Sequence, residues 1–319
     1  MHCKGAKSMK KALITGMNGF VGKYLQKVLQ AQGYTVAGTY LPTSGLRAMG
    51  ADYYPVDLLQ SQQIAEVIQT YQPDEIYHLA GQSSVALSWA KPAMTMDINV
   101  NGTINLLEAV RQYKPDCKVL IVGSSDEYGP VAEADCPVAE VHPLCPVSPY
   151  GISKLTQEKM AQLYATAYGM AVLMVRPFNH IGPGQGTGFV VADFASRIAD
   201  IEKGKAEPVL YVGNLHSYRD FTDVEDVVAA YVLLMQHGTY GQVYNVGSGK
   251  ALEIQVILEQ LLALSTVNIK VEIDQSKYRP VDVPLVVCDN TKLVQATGWA
   301  PQKPLQQTLL DTLNYWREQ

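Results

Sequence analysis

Lys11-Ala12-Leu13-Ile14-Thr15, followed at once by Gly16-Met17-Asn18-Gly19-Phe20-Val21-Gly22, is the stretch on which the reading of this chain turns. The first five residues form a short apolar run bounded by glycine, which reads as a buried strand. Three glycines then recur at GxxGxxG spacing, and an amphipathic stretch continues to about Gln32. Glycine is needed where the backbone turns tightly and approaches a pyrophosphate within contact distance. The helix that follows supplies free N–H groups and a favourable dipole at its N-terminus. Gly16, Asn18, Gly19, Phe20, Val21 and Gly22 are therefore the first candidate dinucleotide-binding residues.

Outward from this unit the same rhythm repeats. Short apolar runs at 35–39, 53–56, 75–79, 118–123 and 171–176 read as strands, separated by helical patterns at 61–71, 98–113 and 151–168. Near-continuous apolar strands alternating with helices predict a parallel sheet covered on both faces, so the fold class is α/β: a doubly wound parallel Rossmann sheet. After Arg176 the Gly/Pro-rich segment PFNHIGPGQGTGF reads as a long functional loop. Helices are predicted at 191–204, 223–236 and 253–264, and strands at 209–213, 243–246 and 268–273. This divides the chain into a dinucleotide-binding domain, 9–176 plus 216–249, and a smaller C-terminal α/β substrate domain, 177–215 plus 250–319.

Bulk properties exclude several classes. The chain has 319 residues, 47% hydrophobic and 17% charged, which describes an ordinary soluble globular protein. A net charge of -5 gives no general attraction to nucleic acid or to an anionic membrane. Five cysteines (Cys3, Cys117, Cys136, Cys145 and Cys288) are scattered, with no CxxC pair. That pattern speaks against a disulfide framework and a zinc site, and His78, His142 and His180 lack metal-ligand spacing. No metal is expected. Residues 1–8 lack an apolar signal core and read as a loose extension, so a cytoplasmic location is expected.

Which dinucleotide binds depends on the end of the second strand. An acidic residue there would hold the adenosine ribose hydroxyls of NAD and repel the extra phosphate of NADP. The strand instead ends Thr39-Tyr40-Leu41, with Arg47 shortly after, which favours NADP(H) while leaving NAD(H) open. Asp57, after the third strand, is placed either to meet the adenine or to cap the helix that follows.

Tyr150 and Lys154 stand four residues apart at the start of a predicted helix, so their side chains share one face. A phenol is a poor proton-transfer group at neutral pH, and a nearby ammonium favours its phenolate. The pair can therefore serve as a general acid and base. Ser124 or Ser125, at the end of strand 118–123, is positioned to hydrogen-bond a reacting carbonyl oxygen beside the Tyr150 hydroxyl.

With these motifs in hand, the chain resembles the extended short-chain dehydrogenase/reductases that process nucleotide sugars. The resemblance runs from about Lys10 to the C-terminus and is carried by TGMNGFVG, HLAGQSSV, INVNGTINLLEA, GSSDEYG, SPYGISK, RPFNHIGPGQ, RDFTDVEDVV, YNVGSG and TGWAP. Within that family, residues 176–204 are most similar to the GDP-6-deoxy-4-keto-mannose reductases, which form GDP-D-rhamnose, and to the related GDP-mannose 4,6-dehydratases. The resemblance implies that Thr39, Leu58, Leu79, Ala80, Gly81, Asn99 and Pro177 also line the cofactor site. It implies that Ser83, Asn179, Phe189, Val190 and Asp282 line the nucleotide-sugar site, with Arg219 and Arg279 reaching the phosphates, a role suited to arginine's fork. It also implies a homodimer. The helices at 95–113 and 151–168 are candidates for its interface, although their apolar faces fit the monomer core as well.

Family dehydratases resemble T-x-E-x-Y-G where this chain has Ser124-Ser125-Asp126-Glu127-Tyr128-Gly129. Asp126 then stands where the dehydratase glutamate takes a proton from sugar C5. Aspartate is one methylene shorter, a loss of about 1.5 Å, and proton abstraction needs heavy-atom contact of about 3 Å. The expectation is hydride transfer from NAD(P)H to C4 of GDP-4-keto-6-deoxy-D-mannose, with Tyr150 as proton donor. The alternatives are a GDP-mannose 4,6-dehydratase using Asp126 or Glu127, and another nucleotide-sugar dehydratase or epimerase. A catalytically silent nucleotide-binding subunit is a further alternative that the presence of both Tyr150 and Lys154 disfavours.

Overall fold

The computed structural model describes residues 9–42, 52–277 and 285–319. The opening stretch forms strand β1 (Lys11–Thr15) and helix α1 (Phe20–Ala31). There follow β2 (Thr35–Tyr40), β3 (Tyr53–Pro55), α2 (Ser61–Tyr71) and β4 (Glu75–His78). Two short helices, α3 (Val85–Ala90) and α4 (Pro92–Met96), lead through a π-helical turn (Asp97–Asn101) into α5 (Gly102–Tyr113). Then come β5 (Lys118–Val122), α6 (Pro149–Tyr168) and β6 (Val172–Pro177). The predicted helix 98–113 is thus a π turn joined to an α-helix, and α3 and α4 had no sequence expectation: their short, mixed pattern carries no clear period.

The chain continues through β7 (Asn179–Ile181), α7 (Val190–Glu202), β8 (Val209–Val212), β9 (Tyr218–Asp223), α8 (Val224–His237) and β10 (Val243–Val246). It closes with β11 (Ala251–Glu253), α9 (Ile254–Ala263), β12 (Lys270–Ile273), β13 (Leu285–Val286), α10 (Thr291–Thr297) and α11 (Leu305–Glu318). The segment expected as loop throughout therefore contains strand β7.

Seven strands form one parallel sheet in the order β10-β6-β5-β4-β1-β2-β3. Strand alternation explains why both faces are covered. Leu13, Val119, Ile121, Val172 and Met174 pack with α2, α5 and α6 on one face. Ala12, Ile14, Leu120, Leu173 and Val175 pack with α1 and α8 on the other. Chain direction across the sheet reverses between β1 and β4, and that switch point opens a crevice at the carboxyl ends of the strands.

Beyond β6 a second layer is built on the small sheet β11-β9-β13, with β7 also paired to β9, and on the β8–β12 pair. Helices α7, α9 and α11 bury Ile198, Ile257, Leu261, Leu309 and Leu313 against it. β9 is a strand despite its polar sequence because Asp220 accepts from the backbone N–H of Ser248, Gly249 and Cys288 and from the Ser248 hydroxyl. This buried network secures the strand where apolar alternation is lacking. Among the described residues no helix is long and apolar enough to cross a membrane.

Candidate active site

The loop between β1 and α1 lies at the switch point. Gly16 has φ +69°, and a Cβ there would stand 2.9 Å from Ala80 Cα, so only glycine suits both the turn and the packing. Its N–H donates to the Thr39 hydroxyl at 3.4 Å, and the Gly19 N–H donates to Gly16 O at 3.0 Å. No side chain among the described residues caps the N-terminus of α1. Asn18 Nδ2 is buried without a hydrogen-bond partner among the described residues. An uncapped helix end beside an orphaned amide donor fits an incoming pyrophosphate.

The remaining cofactor candidates divide. Ala80, two residues past β4, packs against Gly16, and Gly81 stands beside Asn99 and the Lys154 ammonium. Asn99 lies on the π turn, accepts from Gln82 N, and donates to Gln82 O and Ser153 Oγ. Leu79 is half-buried against the sheet face that carries α1, and Pro177 closes β6 opposite Val246. The Leu58 side chain is packed in the core against Gly102, and its carbonyl accepts from Asn105 Nδ2 at 2.7 Å. Asp57 accepts from Leu59 N, and Gln60 occupies the N-cap of α2, so Asp57 shapes the preceding turn. Thr39 is buried and committed to the phosphate loop. Arg47, Arg279 and Asp282 lie outside the described residues.

Helix α6 presents Tyr150 in its first turn, where Ser148 caps the helix through Gly151 N. The Ser124 hydroxyl, brought in from the end of β5, lies close enough to the Tyr150 phenol to draw its pKa down. It also contacts Asp126 Oδ2 at 3.2 Å and accepts from Asp126 N. Ser124 is thus the serine that meets the tyrosine, and Ser125 opens the short 3-10 turn beside it. Asp126 is exposed on that turn, close enough for its charge to act on Tyr150.

Lys154 Nζ donates to Val122 O at 2.8 Å and to Gln157 Oε1 at 3.0 Å. Burial holds its pKa down to about 8, with the carboxyl of Glu127 opposing. The Tyr150 phenol differs from the sequence expectation of a lowered value. Burial, followed by the Asp126 charge, pushes it above its ordinary value, and the Ser124 hydroxyl pulls the other way. With Lys154 held by Val122 and Gln157, burial prevails, and the phenol keeps its proton at neutral pH.

Glu127 points away from Asp126. It is fully buried, accepts from Ser124 N at 2.8 Å, and lies 3.4 Å from Arg176 Nε. The two acidic neighbours therefore face opposite sides of the turn and do not form a pair over one substrate atom.

The sugar-side candidates surround the other wall. Register places Asn179 of β7 opposite Phe221 of β9, the strand that carries Arg219. Asn179 and Ser83 are exposed, and Phe189 stands exposed at the N-cap of α7, directly before Val190. His180 stacks on Phe20 of the phosphate loop at 6.0 Å, and Tyr24 of α1 donates to Pro183 O at 2.7 Å. These contacts tie the Gly/Pro-rich loop to the dinucleotide side of the crevice. No cluster able to hold a metal ion occurs among the described residues.

Sequence reading missed Gln157, Glu158 and Arg176 as neighbours of this site. Gln157 was detectable, since it stands three residues from Lys154 on one helix. Glu158 and Arg176 meet only through the sheet.

Comparison with known proteins agrees with this geometry. The GDP-mannose 4,6 dehydratase family model matches residues 13–312. GDP-6-deoxy-D-mannose reductase of Pseudomonas aeruginosa is 36% identical over 96% of this chain and 97% of its own length. GDP-mannose 4,6-dehydratase of Vibrio cholerae is 30% identical over 93% of this chain and 91% of its own. Among solved structures, RMD from Pseudomonas aeruginosa complexed with NADPH superposes with a TM-score of 0.87 at 37% identity, covering 97% of this chain and 99% of that one. Thermus thermophilus UDP-glucose 4-epimerase complexed with NAD gives 0.85 at 30% identity, covering 96% and 99%. A glycine loop at the switch point, a Ser–Tyr–Lys site at the end of β5 and a match over nearly the whole chain agree: this chain belongs to the GDP-mannose 4,6 dehydratase family.

Proposed function

We propose that the protein reduces the C4 ketone of GDP-4-keto-6-deoxy-D-mannose with NADPH, giving GDP-D-rhamnose, and accepts NADH less well. The observation that carries this reading is the division of labour on the turn after β5. Ser124 and a protonated Tyr150 converge, while the one glutamate available for C5 deprotonation, Glu127, is sealed beneath them. Asp126, the carboxylate left on the open side, is the shorter residue.

Bound NADPH supplies the hydride. Ser124 orients the carbonyl oxygen, and Tyr150 donates its proton to the alkoxide that develops there. Lys154, as a cation, holds the nicotinamide ribose and stabilises the phenolate that remains. Asn18 and the uncapped start of α1 hold the pyrophosphate of the dinucleotide. Asn179 and Phe189 take the nucleotide sugar, and Arg219 and Arg279 take its phosphates. The layer built on β7, β9 and β11 is the substrate side of the crevice in this reading; β9 lies within 216–249, which the sequence division gave to the dinucleotide-binding domain, and pairs instead in the small sheet.

The pure protein, incubated separately with GDP-mannose and with the 4-keto sugar plus NADPH, is expected to consume only the keto sugar. Turnover of GDP-mannose without added reductant would sink the reductase in favour of the dehydratase.

The protein further acts as a cytoplasmic homodimer in this account. Support comes from α6, whose exposed Ile152 and Leu163 stand three turns apart on one face, with Trp89 of neighbouring α3 also exposed. Apolar side chains clustered on packed helices mark an association surface.

A further inference from the structure

Behind the Ser124–Tyr150–Lys154 site lies a buried charge cluster. Arg176 of β6 donates from Nε and Nη2 to the two carboxylate oxygens of Glu158 on α6, both at 2.7 Å. Its Nη1 donates to the Tyr128 hydroxyl at 2.9 Å. Glu127 approaches the same guanidinium at 3.4 Å through Oε2, which has no hydrogen-bond partner among the described residues, while its Oε1 accepts from Ser124 N. Glu127, Glu158 and Arg176 are each at most 3% exposed. Two carboxylates thus face one permanent cation in a dry interior, an arrangement that favours retention of one proton.

The backbone at Val122–Gly123 separates this cluster from the catalytic lysine. Lys154 Nζ is anchored on Val122 O. Glu127 Oε1 presses so closely on Gly123 that no Cβ fits there. We propose that Glu127 is a positioning residue for the reduction: its carboxyl fixes Ser124 through the backbone, and its ionisation, governed by the Glu158–Arg176 pair, keeps Lys154 cationic as pH rises. The proposal rests on the reductase reading for the step it serves, but the charge coupling itself does not require it.

The proton inventory follows from the geometry. Glu158 takes both short contacts with Arg176, so the retained proton sits on Glu127. Burial and then the Glu158 charge push the Glu127 carboxyl well above its ordinary range, and Arg176 opposes them. When base removes that proton, an anion is left beside Lys154 and resists loss of the ammonium. The titratable or charged groups around the cluster include Tyr150 on α6, Asp126 and Tyr128 on the turn itself, Glu140, whose backbone O accepts from Arg176 Nη1 at 3.1 Å, His142 against the Tyr128 ring, and Lys159, 3.6 Å from Glu158 at the surface. His78 of β4 faces Lys154 and is kept neutral, its pKa lowered to about 3 by burial and then by the Lys154 charge.

The test uses two isosteric variants with opposite expectations. Glu127→Gln removes the anion, so the alkaline limb of kcat moves down by about one pH unit. Glu158→Gln leaves Arg176 to Glu127 alone, so Glu127 ionises earlier and the limb moves up. The same limb is read in NADPH affinity without sugar, by fluorescence titration. Shifts in opposite directions establish the coupling; shifts in the same direction, or none, overturn it. Should Glu127→Gln fail to fold, an upward limb in Glu158→Gln supports the proposal, and an unmoved or lowered limb refutes it. Wild-type protein that binds NADPH but does not reduce the keto sugar refutes the reductase reading alone, because the affinity limb still tests the coupling.

Discussion

Tyr150 carries the proton in this account, and its surroundings suit delivery rather than removal. A phenol buried beside Asp126 holds its proton at neutral pH, the form a reduction needs at the alkoxide. Tyr150→Phe keeps the ring and the helix but loses the donor, so kcat falls by roughly 10²–10⁴-fold with the circular dichroism spectrum unchanged. A loss smaller than about tenfold would remove Tyr150 from proton delivery. At this scale the sequence was legible wherever chemistry follows from spacing along one element. Tyr150 and Lys154 share a helix face, and Ser124 ends a strand. It left Ser124 and Ser125 equivalent, because only the turn at 125–127 decides which hydroxyl meets the phenol. The Glu127–Arg176–Glu158 cluster was illegible, since its members join through a turn, a strand and a helix remote in the chain.

Among the elements, the β1–loop–α1 unit joins fold and function most tightly. A Cβ on Gly22 would lie 2.6 Å from Met17 Cα, inside the turn that aims the start of α1 at the crevice. Gly22→Ala therefore forces backbone to move, with an expected loss of about 1–3 kcal/mol in urea unfolding and weaker NADPH binding. Unchanged stability and affinity would show that the close approach of loop and helix is dispensable. Strand periodicity made the large sheet readable, because both faces are covered and apolar runs mark every strand. The small sheet was less readable. β9 has the sequence YRDFTD, and the buried hydrogen bonds of Asp220 hold it where hydrophobicity would not. Its partners β7, β11 and β13 have two or three residues each, too few for any period to show.

At the scale of the whole molecule, the crevice lies between the seven-stranded sheet and the layer built on β7 and β9, with His180 stacked on Phe20 joining the two. Neither wall could have been positioned from sequence, because the stacking pairs residues 160 positions apart. The proposed dimer uses the outer face of α6. Leu163→Glu places a charge at an exposed position of that face, so it is expected to shift the sedimentation coefficient from dimer to monomer while the monomer stays folded. An unchanged coefficient would place the interface elsewhere. The central claim is that the protein moves a hydride to C4 of a keto sugar and does not dehydrate GDP-mannose. NADPH deuterated at the transferable position of its nicotinamide ring tests this most directly, with GDP-4-keto-6-deoxy-D-mannose as acceptor and NMR of the recovered sugar. Deuterium is expected on C4 of a GDP-6-deoxyhexose, in amounts equal to the NADPH oxidised. A product without deuterium at C4, or dehydration of GDP-mannose with no net oxidation of NADPH, would contradict it.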